Sequence, residues 1–372
     1  MGTHITRREL LRAGAISAGT VLVGTPLGRW LAQAQTSAPP VVDRLAVRVV
    51  VDNAHDVTVR SAKIGNVEVQ RVGWGLGPNF GKELHSEFGL GFHLESQRGS
   101  ETRNYLLDFG ASPAAELNNL GILKIDSASF DALILSHGHF DHFGGLVPLL
   151  KRDRAKMRRD MPLYLGGEDT FCHRWAELPN GQRLYAGVLD RRDLTAATVR
   201  LIQIEKPAVI EGHAFTTGPI PRVTFETPGP ATKVAIGMRE GVGCEASHFS
   251  KEEQDGKIVA DRFRTEHATC FHVKDRGLVV ISSCGHAGIV NSVKQAQAVS
   301  GEQKVHAVIG GFHLAPTPEP YQAQVVQALK EINPDWMIPM HCSGATFARM
   351  AQEAMPGKVI VSYTGSRYIF GA

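Results

Sequence analysis

The sequence predicts a mixed α/β protein whose histidine-bearing strand ends meet along one edge, and three observations carry that reading. First, the apolar run 131–135 leads straight into Ser136-His137-Gly138-His139-Phe140-Asp141-His142-Phe143-Gly144-Gly145. A buried strand is thus followed by a loop dense in ligand-type side chains and then by the helix-like 146–150. Second, three further apolar runs end the same way: 277–283 runs into Cys284-Gly285-His286, 305–311 into Phe312-His313, and 336–340 into His341-Cys342. Third, the stretches 288–299 and 321–332 between them have helical spacing, the latter with Val325, Val326, Leu329 and Ile332 on one face.

Taken in order, residues 47–51, 88–95 and 104–107 read as strands from their apolar content and period near two, and Asp108-Phe109-Gly110 closes the last with a turn. The glycine-rich stretch 73–82 reads as a surface loop. It is not a phosphate-binding loop of the Walker type, because Glu83 stands where a Ser or Thr is needed and position 76 is not glycine. The basic run 151–160 is interleaved with acids and lacks aromatics, so it reads as a solvated helix face. Beyond it, 162–167 and 198–204 read as strands around a helical segment 169–175, 216–222 as a turn, and 241–256 as a long polar loop.

The whole chain has 372 residues, 43% hydrophobic and 21% charged, with a formal net charge of only +3. That balance gives no reason to invoke nucleic acid or an anionic membrane as a partner. Residues 1–34 read as a leader: Thr6-Arg7-Arg8-Glu9-Leu10-Leu11-Arg12 with its paired arginines precedes a weakly apolar, Gly/Ala-rich run, and Ala32-Gln33-Ala34 offers a small-x-small cleavage site. This pattern resembles a twin-arginine export signal, which carries folded proteins. The periplasm is therefore the expected address, with membrane tethering if the signal is retained. The apolar run is too short for a membrane span. Residues 35–44 then read as a linker and 45–372 as one domain. Five cysteines, at 172, 244, 270, 284 and 342, are few and odd in number, without a Cys-x-x-Cys pair, so neither a disulfide framework nor a zinc knuckle is expected.

Three histidines and a carboxylate within the six residues His137 to His142 call for a first-row divalent metal, because imidazole and carboxylate are the ligands of sites that keep an open position for water. The motif resembles the His-x-His-x-Asp-His signature of the metallo-β-lactamase superfamily. That resemblance implies an αββα sandwich, two mixed β-sheets flanked by helices, with a dinuclear site on one edge. It also implies that His137 and His139 hold one metal while Asp141 and His142 hold the other. His286 and His341 are then expected to complete the set, and Asp108 to brace the loop as a hydrogen-bond acceptor or simply to form a turn. Cys284 stands where many members have a bridging Asp, so it reads either as a thiolate ligand or as a buried small residue. His313 is divided between substrate contact and ligand.

Cys-Gly-His-Ala-Gly-Ile-Val-Asn, Gly-Gly-Phe-His-Leu and Pro-Met-His-Cys-Ser-Gly are similar to the branch of metallohydrolases resembling 7,8-dihydropterin-6-methyl-4-(β-D-ribofuranosyl)aminobenzene-5′-phosphate synthase. The likeness covers roughly residues 45–372. Glu266-His267-Ala268 departs from the branch's Gly-His pattern and leaves the third ligand of the first metal open. The implied activity is hydrolysis of an ester-type bond in a small-molecule substrate, phosphate or phosphodiester ahead of lactone, by water activated between two divalent ions. Asp141 is expected to hold or relay the proton. Zinc is the first expectation for the metal, with iron or manganese also suited to the ligand set. A periplasmic β-lactamase and a metal-holding sensor without turnover are the rival readings. Oligomeric state is not legible.

Overall fold

The computed structural model describes residues 38–73, 82–178, 180–227, 232–254 and 258–371. The stretch 1–34 read as a leader and residues 74–81 of the glycine-rich stretch lie outside them.

Two mixed sheets stack face to face. Among the described residues, the first has nine strands, running in space from Arg200–Gln203 through Pro162–Leu165, Ala132–Leu135, Glu101–Leu107, Gly91–Arg98, Arg44–Val51, Arg367–Gly371 and Val67–Gln70 to Ala62–Ile64. The second runs from Ala208–Ile210 through Ala214–Thr216, Thr269–Val273, Gly277–Ser282 and Val305–Gly311 to Trp336–Met340. The parallel neighbours in each are covered on both faces, which is why 132–135 and 277–282 are continuous apolar runs without alternation.

Side-chain alternation sorts these strands into layers. Val47, Val49, Leu94, Tyr105 and Ile134 of the first sheet share one buried core with Phe271, Val279, Ile281, Ile309 and Ile338 of the second. Their neighbours Val50, Leu106, Leu133 and Leu135 face outward and pack with Ala115, Leu120, Leu146 and Leu149 of the helices Pro113–Ile122 and Leu146–Asp153. Leu278, Val280, Val308 and Met337 face the other way, against Val293 of Ile289–Ser300, Val325 and Leu329 of Glu319–Ile332, and Phe347 of Ala345–Ala354. The layer order is the expected αββα. Helix starts follow local chemistry: Ser112 caps Pro113–Ile122 by accepting from the Ala115 N–H, and the Glu226 carboxylate accepts from the Val290 and Asn291 N–H groups at the start of Ile289–Ser300.

Four expectations are corrected. The segment 169–175 is a 3₁₀ turn, Glu168–Phe171, followed by a strand, His173–Glu177. Its helical spacing yields to pairing with Arg183–Gly187 and Lys233–Ala235, partners that local periodicity cannot reveal. With Ile258–Ala260 these strands form a separate four-stranded sheet. The stretch 241–256 is less loop-like than expected, since Val242–Gly243 pairs with Met238–Arg239 and Ala246–His248 is a 3₁₀ turn. Cys172 and Cys244 form a buried disulfide across a separation of 72 residues, a pairing for which spacing gave no sign. Finally, the fold begins inside the stretch read as linker, because Val41–Val42 pairs in parallel with Thr269–Val273 and the next strand starts at Arg44.

Candidate metal centre

The histidine loop is held from below and from above. Asp108, at a left-handed φ of 58°, turns the chain out of the strand Glu101–Leu107. Its carboxylate accepts from the Ser136 N–H at 2.8 Å, the Ser136 hydroxyl at 2.7 Å and His142 Nδ1 at 2.8 Å. The glycines are required by close approach: a Cβ on Gly138 would lie 2.3 Å from the Thr170 carbonyl oxygen, and one on Gly144 would lie 2.0 Å from that of Ala111.

From above, the four-stranded sheet contributes Arg174, which is buried. Its guanidinium donates to the carbonyls of Gly138 at 2.8 Å and Asp169 at 2.7 Å and to Asp261 at 2.8 Å. Asp261 lies 3.6 Å from His139 Nε2, whose hydrogen-bond partner at 2.9 Å is the Thr232 hydroxyl. The outward nitrogen of His139 is therefore engaged, and Nδ1 is left for the centre.

Other turns fix the remaining histidines. His341, at φ 49°, has its N–H bonded to Asp52 at 3.0 Å and its carbonyl to the Asn53 amide at 2.9 Å. The N–H groups of His286 and Ala287 donate to Glu266 at 3.0 and 2.6 Å, and the His286 ring stacks on Phe263 at 3.9 Å. Left-handed backbone in a residue with a side chain is unfavourable, and Asp108, His313 and His341 adopt it at strand ends that meet at the site.

Two groups result. The ligand atoms of His137, His139 and His286 lie within 4.8 Å of one another, as do those of Asp141, His142 and His341. Cys284 is equally close to His137 and His142, and it also joins His313 and Cys342. All the residues singled out in the sequence thus come together, His313 on the Cys342 side of the site. His267 stands apart, because its ring nitrogens are bonded to the Leu135 carbonyl and the Thr216 hydroxyl. His286 occupies the place beside His137 and His139 that the sequence left open.

The donor set fits a metal. His137 Nε2, His142 Nε2, His341 Nε2 and both ring nitrogens of His286 are buried without a hydrogen-bond partner in the protein, an arrangement that is costly unless a cation takes the lone pairs. Burial, reinforced by neighbouring imidazoles, keeps the pKa values of His137 and His286 well below the ordinary value, so their lone pairs are free. Burial opposes protonation of His142 too, yet Asp141 and Asp108 carry its pKa up to about 9. Burial opposes the Asp141 charge, but His142 and His341 hold that carboxylate ionised. The pair of carboxylates thus creates a negative environment in which a proton on His142 holds the position of a cation. A pocket of about 160 Å³ opens onto this centre, with Phe88 and Phe140 exposed at its mouth and Ala176 and Ala186 on the wall supplied by the four-stranded sheet.

The family model of the metallo-beta-lactamase superfamily matches residues 98–163, the span that holds Asp108 and the histidine loop. Over that span the chain is similar to proteins of the metallo-beta-lactamase superfamily. It is 29% identical over 274 residues, 72% of its length and 85% of the relative's, to the 7,8-dihydropterin-6-methyl-4-(beta-D-ribofuranosyl)-aminobenzene-5′-phosphate synthase of Methanocaldococcus jannaschii. It is 26% identical to an uncharacterized protein, MJ0448, of the same organism, over 65% of this chain and 80% of that one. Among solved structures it resembles Tm1679, described as a metal-dependent hydrolase of the beta-lactamase superfamily, with a TM-score of 0.61 and 22% identity over 87% of this chain and 98% of that one. The superfamily fold implies binding of divalent metal, in keeping with the clustered donors.

Several residues that shape this site carry no signal in the sequence. Arg174, Thr232 and Asp261 act on His139 from a sheet whose existence was hidden, and Phe263 is a lone aromatic in a polar stretch. Asp52-Asn53 was visible only as a strand end. Cys342 carried a signal in its place beside His341.

Proposed function

We propose that the chain is a dinuclear metallohydrolase acting on an ester-type bond, with phosphate and phosphodiester esters ahead of lactones. The observation that carries this reading is the set of partnerless buried nitrogens on His137, His142, His286 and His341, gathered around the Asp141 carboxylate. His137, His139 through Nδ1 and His286 would hold one ion, and Asp141, His142 and His341 the other. When bound, two such ions supply Lewis acidity and an activated water at neutral pH. Zinc suits the imidazole-rich set, with iron or manganese as alternatives.

The chain's own residues do the rest. Asp108 and Ser136 fix the ring orientations of His142 and His137, the Asp261–Thr232 pair fixes that of His139, and Asp52 and Asn53 fix His341. Asp141 Oδ2 lies 3.3 Å from His341 Nε2 and faces the pocket, where it can take a proton from the attacking water and return it to the leaving group. Phe88 and Phe140 at the mouth accept an apolar part of the substrate and shield the centre from bulk water. The similarity to a synthase supports a second reading, in which the same centre makes a bond in a phosphate-bearing substrate.

Export to the periplasm through the leader 1–34 is part of the proposal, and the Cys172–Cys244 disulfide supports an oxidising compartment. The test is metal analysis of the natively exported protein together with a panel of phosphate esters, phosphodiesters, lactones and β-lactams. Two metals per chain held by the histidine groups, and turnover abolished by His139→Ala, are expected. Fewer than one metal per chain, without rescue by Zn, Mn or Fe, would sink the dinuclear reading.

A further inference from the structure

The sulfur atoms of Cys284 and Cys342 lie 3.1 Å apart, and His313 Nδ1 lies 3.6 Å from the Cys284 sulfur. Three different strand ends supply these donors, following Gly277–Ser282, Val305–Gly311 and Trp336–Met340. Both cysteines are almost fully buried, yet both contribute to the pocket wall, as does His313. The backbone is shaped around them. His313 adopts a left-handed φ of 49°, and a Cβ on Gly311 would lie 2.8 Å from the Cys342 sulfur, so only bare backbone leaves the thiol its place. Cys270 provides the contrast: it is buried among apolar side chains of the second sheet's outer face, as a cysteine serving only to fill space would be.

We infer that Cys284, His313 and Cys342 form a thiolate-rich metal site of their own, adjoining the histidine cluster and suited to a borderline or soft ion such as Zn²⁺, Co²⁺ or Cu⁺. Two sulfurs and an imidazole within 4.8 Å of one another are a donor set for such ions, and hard oxygen-seeking ions such as Mg²⁺ and Ca²⁺ are disfavoured by it. The atom balance is simple: a divalent ion binds two thiols and one neutral imidazole, two S–H bonds are lost, and two protons leave to solvent without any change in oxidation state. A disulfide between the same cysteines would have no use for the third donor. Cys284 is shared, since it also lies within ligand distance of His137 and His142, whereas Cys342 and His313 cluster with the thiol set alone. Substitution at Cys342 or His313 therefore reads this site without touching the hydrolytic assignment, which rests on the histidines.

The decisive experiment loads the full-length, metal-stripped and thiol-reduced protein with Co²⁺ under argon and records cobalt per chain and thiolate-to-cobalt absorption in the near ultraviolet. Cys342→Ser is expected to lose one cobalt per chain and at least half of that absorption while keeping the visible bands of histidine-bound cobalt. His139→Ala is expected to do the reverse. Should Cys342→Ser fail to fold by far-ultraviolet circular dichroism, His313→Ala reads the same site and should bind its thiolate-held cobalt at least about tenfold more weakly. Cobalt content and near-ultraviolet absorption in a folded Cys342→Ser or His313→Ala equal to wild type would overturn the proposal. So would a reduced wild type without thiolate-to-cobalt absorption.

Discussion

Asp108 and His142 form the most enclosed ion pair of the site, 2.8 Å from Oδ2 to Nδ1 with both side chains fully buried. That contact presents the opposite ring nitrogen to the centre, and it ties the first sheet's turn to the metal loop. Asp108→Asn would replace one acceptor oxygen with a donor facing Ser136 or His142. Metal affinity is expected to fall about 10- to 100-fold, with a stability loss of about 1–3 kcal/mol from the unsatisfied groups. Competition with a chelator and a urea denaturation curve would measure the two effects. Unchanged metal affinity would remove Asp108 from the orienting role.

The same pair sets a pH dependence. In the metal-free protein the His142 pKa lies near 9, so at neutral pH an incoming ion must displace its proton. The sign follows: a raised ligand pKa makes binding weaker as pH falls, and the logarithm of the metal association constant should rise by about one per pH unit up to about 9. Calorimetry at pH 7 in buffers of different ionisation enthalpy should report proton release on binding. A pH-independent association constant between 6 and 8 would contradict it.

Arg174 is the keystone between the four-stranded sheet and the histidine loop. Its replacement by Lys keeps the charge but not the planar fork that reaches Gly138, Asp169 and Asp261 together. Arg174→Ala leaves the Asp261 carboxylate buried and unpaired, at a cost of about 3–5 kcal/mol. Denaturation midpoints should rank wild type above Lys and Lys above Ala, and metal affinity should fall in the same order through the loss of support for His139. Equal midpoints for wild type and Arg174→Lys would show the fork to be dispensable.

The Cys172–Cys244 bond closes a long loop, and its loss is expected to cost about 2–5 kcal/mol. The Cys172→Ser/Cys244→Ser double variant should unfold at lower urea concentration than wild type. It should also bind metal more weakly, because the strand His173–Glu177 that follows Cys172 carries Arg174. A double variant with the wild-type urea midpoint would refute the stabilising role.

What the sequence disclosed was whatever is written locally. His137, His139, Asp141 and His142 sit in one loop, and the apolar runs before His286, His313 and His341 announce buried strands whose ends must meet on an edge. The αββα order was implied by the resemblance alone; the division of Val49 from Val50 and of Ile134 from Leu135 between two cores is invisible in runs that are apolar throughout. Long-range pairing escaped. His173–Glu177 finds its partners at Lys233–Ala235, and Cys172 finds Cys244, through tertiary contacts that no window of neighbouring residues contains. The support of His139 by Thr232, Asp261 and Arg174 was hidden for the same reason, whereas His286 was legible as a strand-end histidine although its partners were not.

The strand Arg367–Gly371 lies between Arg44–Val51 and Val67–Gln70 in the first sheet. During synthesis, two strands made near the start of the domain therefore keep an unpaired edge until residues 367–371 leave the ribosome. Pairing across more than three hundred residues is slow to find, and an open apolar edge is a hazard while it lasts. Closure of this sheet therefore waits on residues 367–371, and the Val47 to Val51 edge stays open to wrong pairing until that strand arrives.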